Sequence, residues 1–264
     1  MNIINKHTVN KFRSLISDIK TAVIFMHINP DGDAVGSALS LVAAFKQVGI
    51  QTTVIVPNSI PANLQWMPNF DRILANLPVT EVQKLCNDTE LIVFVDFNHY
   101  NRVEKYTAIL EECNKKTILI DHHANPMQKV DLLVSNINVS STCEIIFELL
   151  RLSKFQLTVD IASCIYAGII TDTGNFSYSS NNIHTFETVI ALLKLGLDKD
   201  KITGLIYKNL PAEQVKLLGH ILDQRMVIMP EKNVAYPDDF LIHRQSHRRL
   251  CHFLLYDIAV QPFP

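Results

Sequence analysis

Imidazole and carboxylate side chains, the donors that a hard divalent cation prefers, recur in this chain in short separate clusters. The densest is His27-Ile-Asn-Pro-Asp31-Gly-Asp33, running on into Ala-Val-Gly36-Ser37. Pro30 and Gly32 suit a sharp turn that aims alternate side chains at one point. Asp96, Asp121-His122-His123 and Thr171-Asp172-Thr173-Gly174 follow at long intervals. Each has an ordinary structural alternative: Asp33 serves equally as the N-cap of a following helix, and Pro-Asp-Gly-Asp as a plain turn. Gathered together without cations, however, these carboxylates would repel one another and be driven toward protonation. A pair of bound divalent ions removes that conflict, so the set reads as a dinuclear centre.

What could gather them is an apolar run before each cluster. Thr21–Met26 and Leu91–Val95 read as buried strands, Thr117–Ile120 as a third, and Gln51–Val56 as a strand ended by Pro57. Ala34–Val48 reads as the helix leaving the first cluster, with Gly49 as its C-terminal cap, and residues 8–20 as an amphipathic opening helix. Residues 58–90 look like a loop with short helical turns, Trp66 and Phe70 being core. A helix is expected over 102–113, and Ser140/Ser141 with Glu144 resemble a capping box for a helix over 142–152. Ile161–Ile170 reads as a buried helix, a strand being the alternative. Alternating βα units imply an α/β fold with a doubly wound, mainly parallel sheet, in which distant strand ends meet at one crevice. His27, Asp31, Asp33, Asp96, Asp121, His122, His123 and Asp172 could therefore converge there.

Composition fits a globular protein: 48% hydrophobic and 19% charged over 264 residues, enough for one large or two modest domains. A net charge of −2 gives no global pull toward nucleic acid. No run approaches a membrane span and the start lacks a signal-peptide core, which points to a cytoplasmic chain. The five cysteines, at 86, 113, 143, 164 and 251, form no CxxC pair and read as buried free thiols.

The order His-x-x-x-Asp-x-Asp at 27–33, Asp96 after a strand, Asp-His-His at 121–123 and Thr-Asp-Thr-Gly at 171–174 resembles the DHH phosphoesterase superfamily. Within its RecJ-like exonucleases, family II pyrophosphatases and nanoRNases, the wording of the first and last motifs is most similar to the nanoRNases. That resemblance covers roughly the first two hundred residues. It implies hydrolysis of short oligoribonucleotides, of 3′-phosphoadenosine 5′-phosphate, or of both, with Mn²⁺ as the usual metal. It implies one cation on His27, Asp31 and Asp96 and a second on Asp33, Asp96, His122 and Asp172. His123 would face the scissile phosphate, and Asp121 would orient a neighbouring imidazole. Two such cations lower the pKa of a shared water so that hydroxide attacks phosphorus in line. Gly36 and Ser37, opening a helix, would favour an anion through their N–H groups, and Arg102 would contact phosphate. The same centre would suit a pyrophosphatase or polyphosphatase. A homodimer is possible.

The remainder reads as helices over 185–195, 201–208 and 212–226, with a strand beginning at Val227. The organisation expected is a catalytic domain over 1–196, a helical linker over 197–226, and over 227–264 a remnant of the family's DHHA1-type substrate domain or a solvated tail. With eight glycines in all, no glycine-rich stretch of that second domain is present, and patterning stops after Tyr236. A shortened or altered C-terminus is the expectation, and with it the rival reading of an inactive metal-binding fragment. The basic cluster His243–Arg249 reads as part of a solvated tail.

Overall fold

The computed structural model describes residues 3–208, 212–229 and 234–237. The chain divides into two compact units, Met1–Ile206 and Tyr207–Pro264.

The first unit opens with α1 (Lys6–Ile16), whose first turn is capped by the Asn5 side chain. Strand and helix then alternate through β1 (Thr21–Phe25), α2 (Gly32–Gln47), β2 (Gln51–Val56), β3 (Ile73–Ala75), α3 (Val79–Asp88), β4 (Leu91–Val95), α4 (Thr107–Glu111), β5 (Lys116–Asp121) and β6 (Leu132–Ser135). Four helices follow: α5 (Thr142–Leu152), α6 (Val159–Asp172), α7 (Ile183–Lys194) and α8 (Lys199–Tyr207). The six strands form one parallel sheet in the order β3-β2-β1-β4-β5-β6. This is the doubly wound α/β arrangement that the strand–helix alternation implies.

From β1 the chain winds outward to β2 and β3, then returns to β4 on the other side of β1. The neighbours β1 and β4 therefore flank the topological switch point, where ligands bind beyond the carboxyl ends of the strands. Both are central, and β4 is buried along its whole length, as its unbroken Leu-Ile-Val-Phe-Val run requires. Alternate strand residues face opposite sides. Val23, Phe25, Ile92 and Phe94 join Val82, Phe97, Val103 and Tyr106 in one apolar cluster. Ile24, Val54, Val93 and Ile118 point the other way, to the side where α2, α5 and α6 pack together.

Glycine decides how closely those helices approach. A Cβ added at Gly36 of α2 would strike the Cys164 carbonyl of α6, and one at Gly32 would strike the Thr171 side chain. At Gly168 of α6 it would meet the Cys143 sulfur and Asp33 Oδ1. The two helix backbones are thus in near contact.

Several boundaries differ from the sequence reading. α2 begins at Gly32 with Asp31 as its N-cap, so the capping role imagined for Asp33 belongs to Asp31. The region 58–90 contains β3 and the ten-residue α3 as well as short turns. Trp66 and Phe70 there are half-buried rather than core. The expected helix over 102–113 is a 3-10 segment, Tyr100–Tyr106, kinked within itself at Glu104 (φ 45°) and followed directly by the short α4. Ile161–Ile170 is helical, within α6. Cys86, Cys143 and Cys164 are buried free thiols and Cys113 is half-buried.

In the second unit the described elements are α9 (Ala212–Gln224) and an antiparallel pair, β7 (Met226–Met229) and β8 (Val234–Pro237). The strand expected at Val227 is β7. Asp238–Phe240, the basic cluster 243–249 and Cys251 lie outside the described residues, as does most of the expected 227–264 remnant. Among the described residues, no helix is long and apolar enough to cross a membrane.

Candidate metal centre

His27 lies two residues beyond β1 and Asp96 is the first residue beyond β4, so both stand at the switch point. Backbone pairing persists into this region, since Met26 N–H donates to the Ile55 carbonyl and Asp96 N–H to that of Ile120. Asp96 itself adopts φ 63°, a left-handed conformation that turns the chain sharply at the strand end. The Ile28 N–H donates to the Arg102 carbonyl, tying the loop after β1 to the 3-10 segment after β4.

The donors fall into three overlapping groups, each with ligand atoms within 4.8 Å of one another: His27, Asp31 and Asp96; Asp33, His122 and Asp172; and Asp96, His122 and His123. His27 Nε2 lies 3.5 Å from Asp96 Oδ2. His122 Nε2 lies 3.7 Å from Asp96 Oδ1 and 3.3 Å from Asp172 Oδ2. Asp31 is the N-cap of α2 and Asp33 lies in its first turn, Asp172 is the last residue of α6, and His122 is the first residue beyond β5. Near contact of α2 and α6 is what brings Asp33 and Asp172 to one place.

Two of the histidines have a fixed role in hydrogen bonding. His27 Nδ1 is 2.7 Å from the Ile28 carbonyl, an acceptor only, so Nδ1 carries the proton and Nε2 presents a lone pair. Burial holds the His27 pKa below its ordinary value, keeping the ring neutral, as a metal ligand must be. His123 differs. Its Nδ1 is 2.7 Å from Asp121 Oδ1, and that hydrogen bond raises its pKa against the opposing effect of burial. Its side chain is 43% exposed, in contrast with the fully buried Asp121. Asp121 Oδ2 is buried with no hydrogen-bond partner, so its interaction with His123 is the specific one. Arg102 is exposed, and its charge opposes protonation of both His27 and His123, which sets it beside the crevice.

The carboxylates are under the electrostatic load that packing them together predicts. Burial, then Asp33, Asp31 and Asp172, raise Asp96 well above the usual carboxylate range. Burial also raises Asp33, and burial followed by Asp33 and Asp31 pushes Asp172 up to about 9. Partial relief comes from α5. Thr142 N–H donates to Asp33 Oδ2 at 2.6 Å, Cys143 N–H to Asp33 Oδ1 at 2.9 Å, and the Thr142 hydroxyl to Asp96 Oδ1 at 2.9 Å. The positive end of this helix is thus aimed at the cluster. The donor set, imidazole nitrogen and carboxylate oxygen with its excess negative charge only partly offset, fits divalent cations of hard or borderline character.

Thr142 and Cys143 were missed as site residues by sequence reasoning. The capping box did locate the start of α5, with Ser141 as N-cap accepting from Glu144 N–H. Glu144 reaches back to Ser140, rather than to Ser141, and also binds His184 and Thr185 of α7. Nothing local in the sequence says where that helix points. Gly36 and Ser37 are a correction. They were expected to offer N–H groups to an anion, but both are buried inside α2, beyond the first turn whose N–H groups lack helical partners. The Asp31 side chain already accepts from Asp33 and Ala34 N–H. Gly36 instead provides close packing on α6, and the Ser37 hydroxyl lies 3.4 Å from the Cys143 sulfur.

Residues 21–169 match the family described as DHH family, N-terminal domain. The bifunctional oligoribonuclease and PAP phosphatase NrnA of Thermus thermophilus is 26% identical over 218 residues, covering 79% of this chain and 61% of its own length. Its Bacillus subtilis namesake is 26% identical over 211 residues, covering 78% and 63%. The crystal structure of an exopolyphosphatase-related protein from Bacteroides fragilis superposes with a TM-score of 0.86 at 31% identity, covering 90% of this chain and 70% of that one. The chain spans 61% and 63% of the length of these two curated relatives.

Proposed function

Since the chain belongs to the DHH family, we propose that it is a phosphoesterase using two divalent cations to hydrolyse short oligoribonucleotides, 3′-phosphoadenosine 5′-phosphate, or both. The observation that carries this reading is the pair of donor triads, His27/Asp31/Asp96 and Asp33/His122/Asp172, side by side at the switch point of the sheet. In the reading, His27, Asp31 and Asp96 hold one cation; Asp33, His122 and Asp172 hold the other, with Asp96 shared. Mn²⁺ is the metal proposed, given nitrogen as well as oxygen donors and no available thiolate. Two such cations supply a lowered pKa for a coordinated water and screening of the phosphoryl oxygens.

The chain's own residues do the rest. His27, neutral with its proton on Nδ1, keeps Nε2 for a ligand role. Asp121 holds the His123 ring by Nδ1, so that His123 Nε2 can carry a proton to the phosphate or the leaving oxygen. Arg102 provides a guanidinium for a non-bridging oxygen. The α5 N–H groups fix the orientation of Asp33 without consuming Asp172 or Asp31. The substrate class is supported by the relatives named as oligoribonuclease and PAP phosphatase. A second reading, hydrolysis of pyrophosphate or polyphosphate by the same centre, is supported by the exopolyphosphatase-related structure.

The test is incubation of the purified chain with Mn²⁺ and, separately, a five-nucleotide RNA, 3′-phosphoadenosine 5′-phosphate and pyrophosphate, with Asp96→Ala as control. RNA or nucleotide cleavage that disappears in the variant supports the proposal. Phosphate release from pyrophosphate alone favours the second reading. Tight Mn²⁺ binding with no cleavage of any of them overturns both and leaves a metal-binding protein.

A further inference from the structure

Glu144, in the first turn of α5, is fully buried, and its carboxylate gathers donors from two elements. Oε1 accepts from the Ser140 N–H at 2.9 Å, from the Ser140 hydroxyl, and from the Thr185 hydroxyl at 2.9 Å. Oε2 lies 2.9 Å from His184 Nδ1. Burial opposes ionisation, but the bonds from His184, Ser140 and Thr185 outweigh it and hold the carboxyl pKa below its ordinary value. The group is therefore a buried carboxylate, and since a carboxylate only accepts, His184 Nδ1 carries the proton. A charge is tolerated at such depth only when its partners are in place.

A capping box alone does not call for this arrangement. That motif joins the third helical residue to the N–H of the N-cap, and glutamine serves it as well as glutamate. Here the N-cap is Ser141, and Glu144 passes over it to Ser140 and to α7. The neighbours of Glu144 show what the tie holds still. Thr142 and Cys143, the two residues before it, direct their N–H groups to Asp33, and the Thr142 hydroxyl goes to Asp96. The Glu144 N–H goes to Ser141 Oγ. All three of these first-turn N–H groups, which lack helical partners, are thus committed, two of them to one carboxylate. Asp33 belongs to the Asp33/His122/Asp172 triad and not to that of His27, Asp31 and Asp96. A small shift of the α5 start is therefore felt first at the triad of Asp33.

We propose that Glu144 is a positioning residue of the metal centre: by fastening Ser140 and the first turn of α5 to His184 and Thr185 of α7, it sets where Thr142 and Cys143 present their N–H groups to Asp33, and so tunes the affinity of the cation held by Asp33, His122 and Asp172. The inference rests on the two-cation reading above and adds the residues that keep one of the two sites in register. It is independent of which phosphoester is cleaved.

Calorimetric titration of Mn²⁺ into the full chain tests it, with electron paramagnetic resonance counting the bound ions. The wild type should bind two ions, and Asp172→Asn marks the step that belongs to its triad. Glu144→Gln keeps the shape but puts a donor where an acceptor stood. It should weaken that step by about tenfold, the low end of what partners of metal ligands contribute, and leave the other step nearly unchanged. Thr185→Val loses a single bond on the α7 side and should weaken the same step by less. Val82→Ala, in the apolar cluster on the opposite face of the sheet, lowers stability without touching the tie and should leave both steps as they are. Melting curves check that each variant is folded. Both steps at wild-type affinity in Glu144→Gln, or in Thr185→Val where Glu144→Gln does not fold, overturn the proposal while the two-cation reading stands. So does an equal loss in Val82→Ala, which would make the effect one of stability alone. A wild type that binds fewer than two ions overturns both.

Discussion

Replacing Asp172 by asparagine should stabilise the cation-free protein and weaken what a cation adds. Asp172 ends α6 with its side chain 25% exposed, and burial followed by Asp33 and Asp31 pushes its pKa from 3.8 up to about 9. In chelator at pH 7 the folded state therefore keeps a proton that the unfolded chain has released, and keeping it opposes folding. Each unit between 3.8 and pH 7 is worth about 1.4 kcal/mol, a ceiling of about 4 kcal/mol for this group. Repulsion among Asp31, Asp33 and Asp96 survives the substitution, so about half of that ceiling, ~2 kcal/mol, is the expected gain. In a unit of this size 1 kcal/mol moves the melting temperature by about 2–4 °C, so the chelated variant should melt roughly 4–8 °C above the wild type. With Mn²⁺ at a hundred times its Kd the wild type gains about 2.7 kcal/mol, and the variant, short of one carboxylate, gains less. Its advantage should disappear. The pH dependence has a definite sign: a carboxyl whose folded pKa is raised gives a stability that falls as pH rises from about 4 toward 9, and the two proteins should converge near the lower limit. Calorimetric melts with EDTA and with Mn²⁺, across that range, check all three points. A variant that melts below the wild type in EDTA at pH 7, or that keeps the full Mn²⁺ gain, would refute the reasoning.

Asp121→Asn should lower the His123 pKa, because the bond to Asp121 is what raises it, and so move the alkaline limb of the pH–rate profile to lower pH; an unmoved limb would remove His123 from the proton-bearing role. Arg102→Ala should lower kcat/KM roughly 10- to 100-fold, the loss of a hydrogen bond to a charged group being about 1.5–3 kcal/mol, while Mn²⁺ affinity measured by calorimetry stays the same. Gly168→Ala removes no donor yet should cost about 1–3 kcal/mol of stability by overpacking. It should also weaken Mn²⁺ binding, since the added methyl meets Asp33 Oδ1.

The parts of this structure legible in the sequence are those where one side chain's chemistry and a local period coincide. β1, β4 and β5 are central strands with apolar runs, and each has a donor at or within two residues of its end, so their place and their role could be read together. β3 and β6 could not, because edge strands of three and four residues carry too little pattern to stand out from a loop. The helix α3, with only Val82 and Cys86 buried, has a thin apolar stripe and passed for turns. The misassignment of Gly36 and Ser37 has a different source. Their position near a helix start is visible in sequence, but which side of α2 faces α6 depends on Cys164 and Cys143, over a hundred residues away. For the same reason Thr142 looked like a helix-start residue and nothing more.

The glycines between α2 and α6 also bear on which ions the crevice can accept. With α2 held against the α6 main chain at Gly36, and with Gly32 and Gly168 leaving no room for a Cβ beside Thr171, Cys143 and Asp33, the gap separating Asp33 from Asp172 has little freedom to widen or close. A flexible carboxylate cage widens or shrinks to suit its guest. A gauge of fixed opening discriminates by ionic radius. Ions that bind oxygen at about 2.3–2.6 Å, such as Ca²⁺, and those that demand about 2.0–2.1 Å, such as Mg²⁺, should then differ in fit even though their charges are equal.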